Sequence, residues 1–176
     1  MLKQLFIVSF FSLLLTSFLV PEKVEKKANK EIEKFFEVDK FSKEYISIST
    51  KISEKIPASF SENNFFRIKK GNTLLGYGYI GNAPSKTATF DYLVLFDKDF
   101  IITKSKVLIY REEYGGEIGS KRWLEQFEGS SSKTPELKLV KDIIPISGAT
   151  ISAQSMTKAI NQLLESIKIL KQENHI

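Results

Sequence analysis

The spacing of strand-like runs between residues 64 and 110 constrains this chain more than any other feature. Four runs rich in Phe, Tyr, Ile, Leu and Val follow one another: 64–69, 73–80, 88–96 and 100–110. Between them lie only Lys70-Gly71-Asn72, the stretch Gly81 to Ser85 with its neighbours, and Asp97-Lys98-Asp99. A parallel βαβ unit needs a crossover of about a dozen residues or more. Connections this short leave antiparallel hairpins as the way to pair these strands. Gly76 and Gly78, within the second run, suit a strand that a neighbour approaches closely.

Helical patterns flank this centre. After Pro21, residues Val24, Ala28, Ile32, Phe35 and Phe36 recur at spacings of three or four among many Lys and Glu, which predicts an amphipathic helix ending near Val38. Residues 41–62 alternate weakly and predict an irregular segment with one short strand. Ser120 is placed to cap a short helix whose apolar face is Trp123, Leu124 and Phe127. Residues 137–146 read as a further strand. From Thr150 to Lys171, the stripe Met156, Ile160, Leu163, Leu164, Ile167 and Leu170 predicts a long helix. The expected class is α+β: an antiparallel β-sheet with helices packed on it.

The N-terminus has a different character. Lys3 precedes an uncharged run from Leu5 to Val20, rich in Phe and Leu. The pattern reads as an export signal peptide or as a membrane anchor helix. An anchor wants about 20 apolar residues, and a cleavage site wants small residues that Phe18-Leu19-Val20 does not supply. Both readings place the remaining chain outside the cytoplasm. The expected organisation is a signal peptide or anchor at 1–20, a helix and connecting segment at 21–62, and one domain at 63–176.

Composition removes several chemistries. The chain has no cysteine, so it has no disulfide, thiolate metal site, cysteine nucleophile or lipid-modified cysteine. Its single histidine, His175, is next to last and is expected at a frayed terminus. A histidine-dependent triad and a zinc centre are therefore not expected, and no catalytic or metal-ligating residue is assigned. Glu112, Glu113 and Glu117 read as a solvated, charged loop. The net charge of +5 is spread among interspersed acids and bases, without a basic-aromatic platform for nucleic acid.

One short stretch carries most of the functional signal: Ile146-Ser147-Gly148-Ala149-Thr150-Ile151-Ser152, at the start of the long helix. Small residues at a helix start leave backbone N–H groups open to an anion, most often a phosphate. Taken alone, the same residues also suit an ordinary N-cap made by Ser147 or Thr150.

This stretch, followed by its amphipathic helix, resembles the signature of the FMN-binding domain family. That family includes the C subunit of the sodium-translocating NADH:quinone oxidoreductase and the G subunit of the Rnf electron-transport complex. The resemblance extends to Leu75-Gly76-Tyr77-Gly78-Tyr79, to Glu113-Tyr114-Gly115-Gly116-Glu117-Ile118-Gly119 and to Gln126-Phe127-Glu128-Gly129, in family order over about residues 63–171. It implies that 63–176 is an FMN-binding domain with FMN as cofactor. It also implies that Thr150 carries the FMN phosphate covalently, with Ser147, Gly148, Ala149 and Ser152 around it. Glu113, Gly116 and Gly119 would approach the ring or ribityl chain.

The implied function is extracytoplasmic electron transfer, in the periplasm or on the outer face of the cytoplasmic membrane. The chain would be an electron carrier rather than a stand-alone enzyme. A flavin transferase would mature it, and redox proteins would be its partners. One departure stands out. The family usually has an Asp three residues before the serine, which the transferase is thought to read; here that residue is Ile144, and the nearest Asp is Asp142. A non-redox module that has lost flavin and binds another ligand or partner is the alternative that this departure favours.

Overall fold

A computed structural model describes residues 19–176. The predicted signal or anchor run, apart from Leu19 and Val20, lies outside the described residues. No helix among those described is long and apolar enough to cross a membrane.

The strands are β1 (Ser42–Tyr45), β2 (Phe65–Lys70), β3 (Thr73–Pro84), β4 (Thr89–Phe96) and β5 (Ile102–Ile109). They form one sheet in the order β1-β2-β3-β4-β5, and every neighbouring pair is antiparallel. The short connections thus produce a meander, as their lengths require. β1 is the single short strand expected in the 41–62 segment.

The helices are α1 (Glu22–Phe36), α2 (Thr50–Ser53), α3 (Lys121–Leu124) and α4 (Thr150–Gln172). They cover both faces of the sheet. Alternation along β4 explains how: Phe90, Tyr92, Val94 and Phe96 join the core beneath α4, while Leu93 and Leu95 join the one beneath α1. The α4 stripe (Met156, Ile160, Leu163, Leu164, Ile167 and Leu170) is buried throughout. On the other face Val24, Ala28 and Ile32 of α1 pack on Phe66, Ile68 and Leu108. The first 40 described residues thus belong to the same layered body as the sheet.

Two sequence readings are corrected. β3 does not end at Ile80. It continues through Gly81-Asn82-Ala83-Pro84, pairing as far as Pro84 with Thr89. Gly81 makes this possible, because a Cβ there would sit 2.2 Å from the Tyr92 ring. The hairpin turn shrinks to residues 85–88, closed by Ser85 N–H donating to the Ala88 carbonyl at 2.8 Å.

The second correction concerns 137–146, which is not a strand. It folds into a tight turn, with Val140 at φ +77° and the Asp142 and Ile143 amides both donating to the Lys138 carbonyl. Beyond these turn bonds, the backbone groups of Leu137 and Ile144 are satisfied by side chains instead of a neighbouring strand. Asn161 of α4 brackets Leu137, accepting from its N–H at 3.0 Å and donating to its carbonyl at 2.8 Å. Apolar residues are frequent here because Ile143 and Ile146 reach into the core, not because a sheet extends.

The C-terminus is also tied down. Lys55 pairs with Glu173 at 2.6 Å, and the His175 ring lies 2.7 Å from the Ser47 carbonyl oxygen.

Candidate functional site

α4 begins without a side-chain cap. Ala149 is its N-cap, at φ −134° and ψ 31°, and no side chain accepts a hydrogen bond there. The capping alternative for Ser147 and Thr150 therefore fails. Gly148 turns the chain into the helix at φ +75°. The first intrahelical bond runs from Ala153 N–H to the Ala149 carbonyl at 2.9 Å. The amides of Thr150, Ile151 and Ser152 have no acceptor among the described residues. Three open donors at the positive end of a 23-residue helix are suited to an anion.

A cavity of about 540 Å³ opens at this point, within the range usual for small-molecule sites. Gly148 to Ser152 form one wall. The turn residues Ser85 and Lys86 form the second, and Tyr110, Glu112 and Tyr114 after β5 form the third. The floor is held by a buried hydroxyl cluster, in which Ser152 Oγ lies 2.9 Å from Ser85 Oγ and 3.0 Å from the Tyr110 hydroxyl. Ser152 is thus engaged within the protein, while Thr150 stands exposed at the cavity wall.

Glu112 secures the second wall. Its carboxylate accepts from Thr87 N–H at 2.7 Å, Thr87 Oγ1 at 2.7 Å and Ala88 N–H at 3.1 Å. The Thr87 amide and hydroxyl favour the ionised form most, so the Glu112 pKa is held down to about 2. Lys86 lies inside the turn that this clasp fixes. It brings the only cationic side chain to the cavity wall among the described residues.

Gly115 joins the third wall to the first. It sits at φ +77°, and a Cβ there would lie 2.5 Å from Ala149 Cβ. The backbone after β5 therefore rests directly on the residue before Thr150.

A further clamp acts on the turn leading into α4. Trp123 Nε1–H donates to the Ile144 carbonyl at 2.7 Å, and Ile144 N–H donates to Gln126 Oε1 at 2.7 Å. Trp123 is nearly buried and packs edge-on against Phe127. It is a core anchor that positions the loop. This gives the Gln126-Phe127 pair a physical role: one fills the core and the other holds the loop.

The sequence-derived site residues divide into two groups. Gly148, Ala149, Thr150 and Ser152 come together at the cavity. Ser147 is exposed beside them but is not part of the wall. Glu113 is exposed, and its neighbour Glu112 faces the cavity instead. A Cβ on Gly116 would meet open space. Gly119 lines a different cavity, with Glu31, Lys104 and Ser105. Ser85, Lys86, Tyr110 and Tyr114 also line the cavity without being assigned from the sequence, and Glu112, read there as part of a solvated, charged loop, lines it too. The signal for the first two was hidden by placing the turn at the wrong register. Asp142 does not reach the cavity; its carboxylate accepts from Lys138 N–H at 2.9 Å within the preceding turn.

Residues 87–165 match the model of the FMN-binding domain family. The matched span begins in the β3–β4 turn and ends within α4, so it includes Thr150, Glu112 and the clamp of Trp123 and Gln126. No curated protein matches the chain.

Proposed function

With residues 87–165 belonging to the FMN-binding domain family, and FMN therefore its cofactor, we propose that the chain is an extracytoplasmic electron-transfer flavoprotein. FMN would be esterified through its phosphate to Thr150 Oγ. The observation that carries this reading is the conjunction at the start of α4: three unpartnered amides, an exposed threonine hydroxyl and an adjoining cavity.

The residues present fit a phosphate. The amides of Thr150, Ile151 and Ser152 supply neutral donors, and Lys86 supplies a positive charge on the facing wall. The hydroxyl cluster of Ser85, Tyr110 and Ser152 keeps the floor in place. Tyr114 and Ile151 give the cavity mouth an apolar character suited to an aromatic ring system. When bound, FMN supplies the redox chemistry, and the protein supplies orientation and electrostatics. The uncharged run before Pro21 supports an exported, membrane-proximal location. A flavin transferase would install the ester from a flavin dinucleotide. The bond from Thr150 Oγ1 to the FMN phosphorus forms as the donor's pyrophosphate bond breaks, the nucleoside monophosphate leaves and the hydroxyl proton is released. Electrons would pass to and from redox proteins outside the cytoplasm.

The test is the intact mass of the protein co-expressed with a flavin transferase in an exporting host. A mass gain of one FMN less one water is expected, and it is lost in Thr150→Ala. An unmodified mass, or an adduct that survives Thr150→Ala, overturns covalent attachment at this residue. A flavin absorption band in the native protein separates this reading from a module that binds another ligand.

A further inference from the structure

α1 segregates its charges in an unusual way. Lys23, Lys26, Lys27, Lys30 and Lys34 fall at spacings of 3, 4, 7 and 11 from the first, so they lie along one stripe. At 1.5 Å per residue the stripe runs about 17 Å along the helix. All five lysines are exposed. Two acids of the helix turn inward instead: Glu25 pairs with Lys43 at 2.6 Å, and Glu31 with Lys104 at 3.3 Å. Of the stripe, Lys26 pairs with Glu22 at its margin, and Lys27 donates to the Leu108 carbonyl at 2.9 Å. Lys23, Lys30 and Lys34 have no ionic partner among the described residues.

Two further facts bear on what this stripe meets. The opposite face of α1 is already buried on the sheet through Val24, Ala28 and Ile32, so the stripe faces solvent, apart from the Lys27 ammonium that turns back to Leu108. The uncharged run Leu5 to Val20 ends one residue before α1, separated from it by Pro21 alone. We infer that the lysine stripe of α1 docks on the anionic headgroups of a phospholipid bilayer. Basic side chains held at a bilayer surface are attracted by anionic lipid over roughly a Debye length. The apolar run delivers α1 to that surface, and the stripe sets how the folded body lies on it. With the stripe on the lipid, the sheet lies between the bilayer and α4. The inference rests on the membrane-proximal part of the proposed function and not on flavin.

The experiment uses the full chain with vesicles of pure phosphatidylcholine and with vesicles containing phosphatidylglycerol. Lysines are acetylated briefly, and the modification at each is read by mass spectrometry. Lys133, Lys138 and Lys158, exposed elsewhere, serve as internal references. On phosphatidylglycerol vesicles, Lys23, Lys30 and Lys34 are expected to react several-fold more slowly relative to the references. Added salt is expected to restore their rates. The variant K23Q/K30Q/K34Q keeps good helix formers on the helix and is expected to lose the vesicle-dependent protection of Lys26. Equal protection on both vesicle types would mean that the apolar run alone holds the helix near lipid, and would overturn the inference. Protection that rises with protein concentration without vesicles would point to a second copy of this chain, with the same consequence. Flotation with phosphatidylcholine reports membrane retention by the apolar run separately, so failure of that reading is distinguishable.

Discussion

Gly115→Ala is the sharpest test of how the cavity is assembled. Two costs follow from the geometry. The residue sits at φ +77°, where an L side chain costs about 1–2 kcal/mol. Its new Cβ would also lie 2.5 Å from Ala149 Cβ and 3.2 Å from the Tyr110 hydroxyl. Relieving that overlap means moving one wall off the other, an overpacking cost of about 1–3 kcal/mol. The sum is about 2–5 kcal/mol, or a fall in melting temperature of roughly 4–20 °C for a domain of this size. Thermal and urea unfolding measure it, with flavin incorporation measured in parallel.

Gly116→Ala is the control, since a Cβ there meets nothing and φ is not positive; it is expected within about 0.5 kcal/mol of the parent. A double-mutant cycle with Ala149→Gly separates the two costs. The pair should recover the overlap portion, leaving about 1–2 kcal/mol from the backbone. If Gly115→Ala and Gly116→Ala behave alike, or if the cycle shows no coupling, the contact between the glycine loop and the start of α4 is not what holds this wall.

Two further outcomes follow from the clamp and the clasp. Trp123→Phe keeps a ring in the core but removes the 2.7 Å donor to the Ile144 carbonyl, and should cost about 1–2 kcal/mol by urea unfolding. It should also raise hydrogen exchange at the Ile144 amide, which a purely packing role for Trp123 would not. Glu112 has its pKa depressed from 4.5 to about 2, chiefly by the Thr87 amide and hydroxyl. A depressed carboxylate contributes stability above the unfolded value and loses it as pH falls through the folded one. Its share is therefore present above pH 4.5 and lost between pH 4.5 and 2. Glu112→Gln should flatten the stability profile in that window and leave the profile above it parallel to the parent; an unchanged acid limb would refute the clasp.

The sheet was legible because loop length and strand alternation act locally. No helix fits between Lys69 and Thr73, and β4 alternates cleanly between two buried faces. α1 and α4 were legible for the same reason, as each carries a single apolar stripe. The cavity was only half legible. Gly148 to Ser152 are contiguous, so their pattern shows in the sequence. Ser85 and Lys86 reach them only because β3 runs four residues past Ile80, and that depends on Tyr92 lying over Gly81. Glu112 rather than Glu113 faces the cavity because its partners, Thr87 and Ala88, lie across the turn. The 137–146 turn was hidden for a different reason. It is tied to the rest of the fold through the side chains of Asn161, Gln126 and Trp123, and periodicity carries no record of side-chain partners.

These attachments bear on Ile144, a departure from the family pattern. Both backbone groups of Ile144 are engaged, by Gln126 and Trp123, while its side chain is 69% exposed. The flanking Ile143 and Ile146 are buried anchors. The path of the loop is therefore set by its backbone and its neighbours, and the side chain at 144 only changes the surface that the loop presents. Ile144→Asp should leave stability within about 0.5 kcal/mol of the parent, as exposed substitutions generally do. Asp142 cannot serve the same purpose without releasing Lys138 N–H, which its carboxylate caps at 2.9 Å. If Asp at this position is what the transferase reads, Ile144→Asp accelerates flavin attachment to Thr150 in a time course followed by intact mass, while Asp142→Asn leaves the parent rate unchanged. Acceleration absent in the first, or attachment abolished in the second, would mean that recognition passes through Asp142 or does not use a carboxylate in this loop.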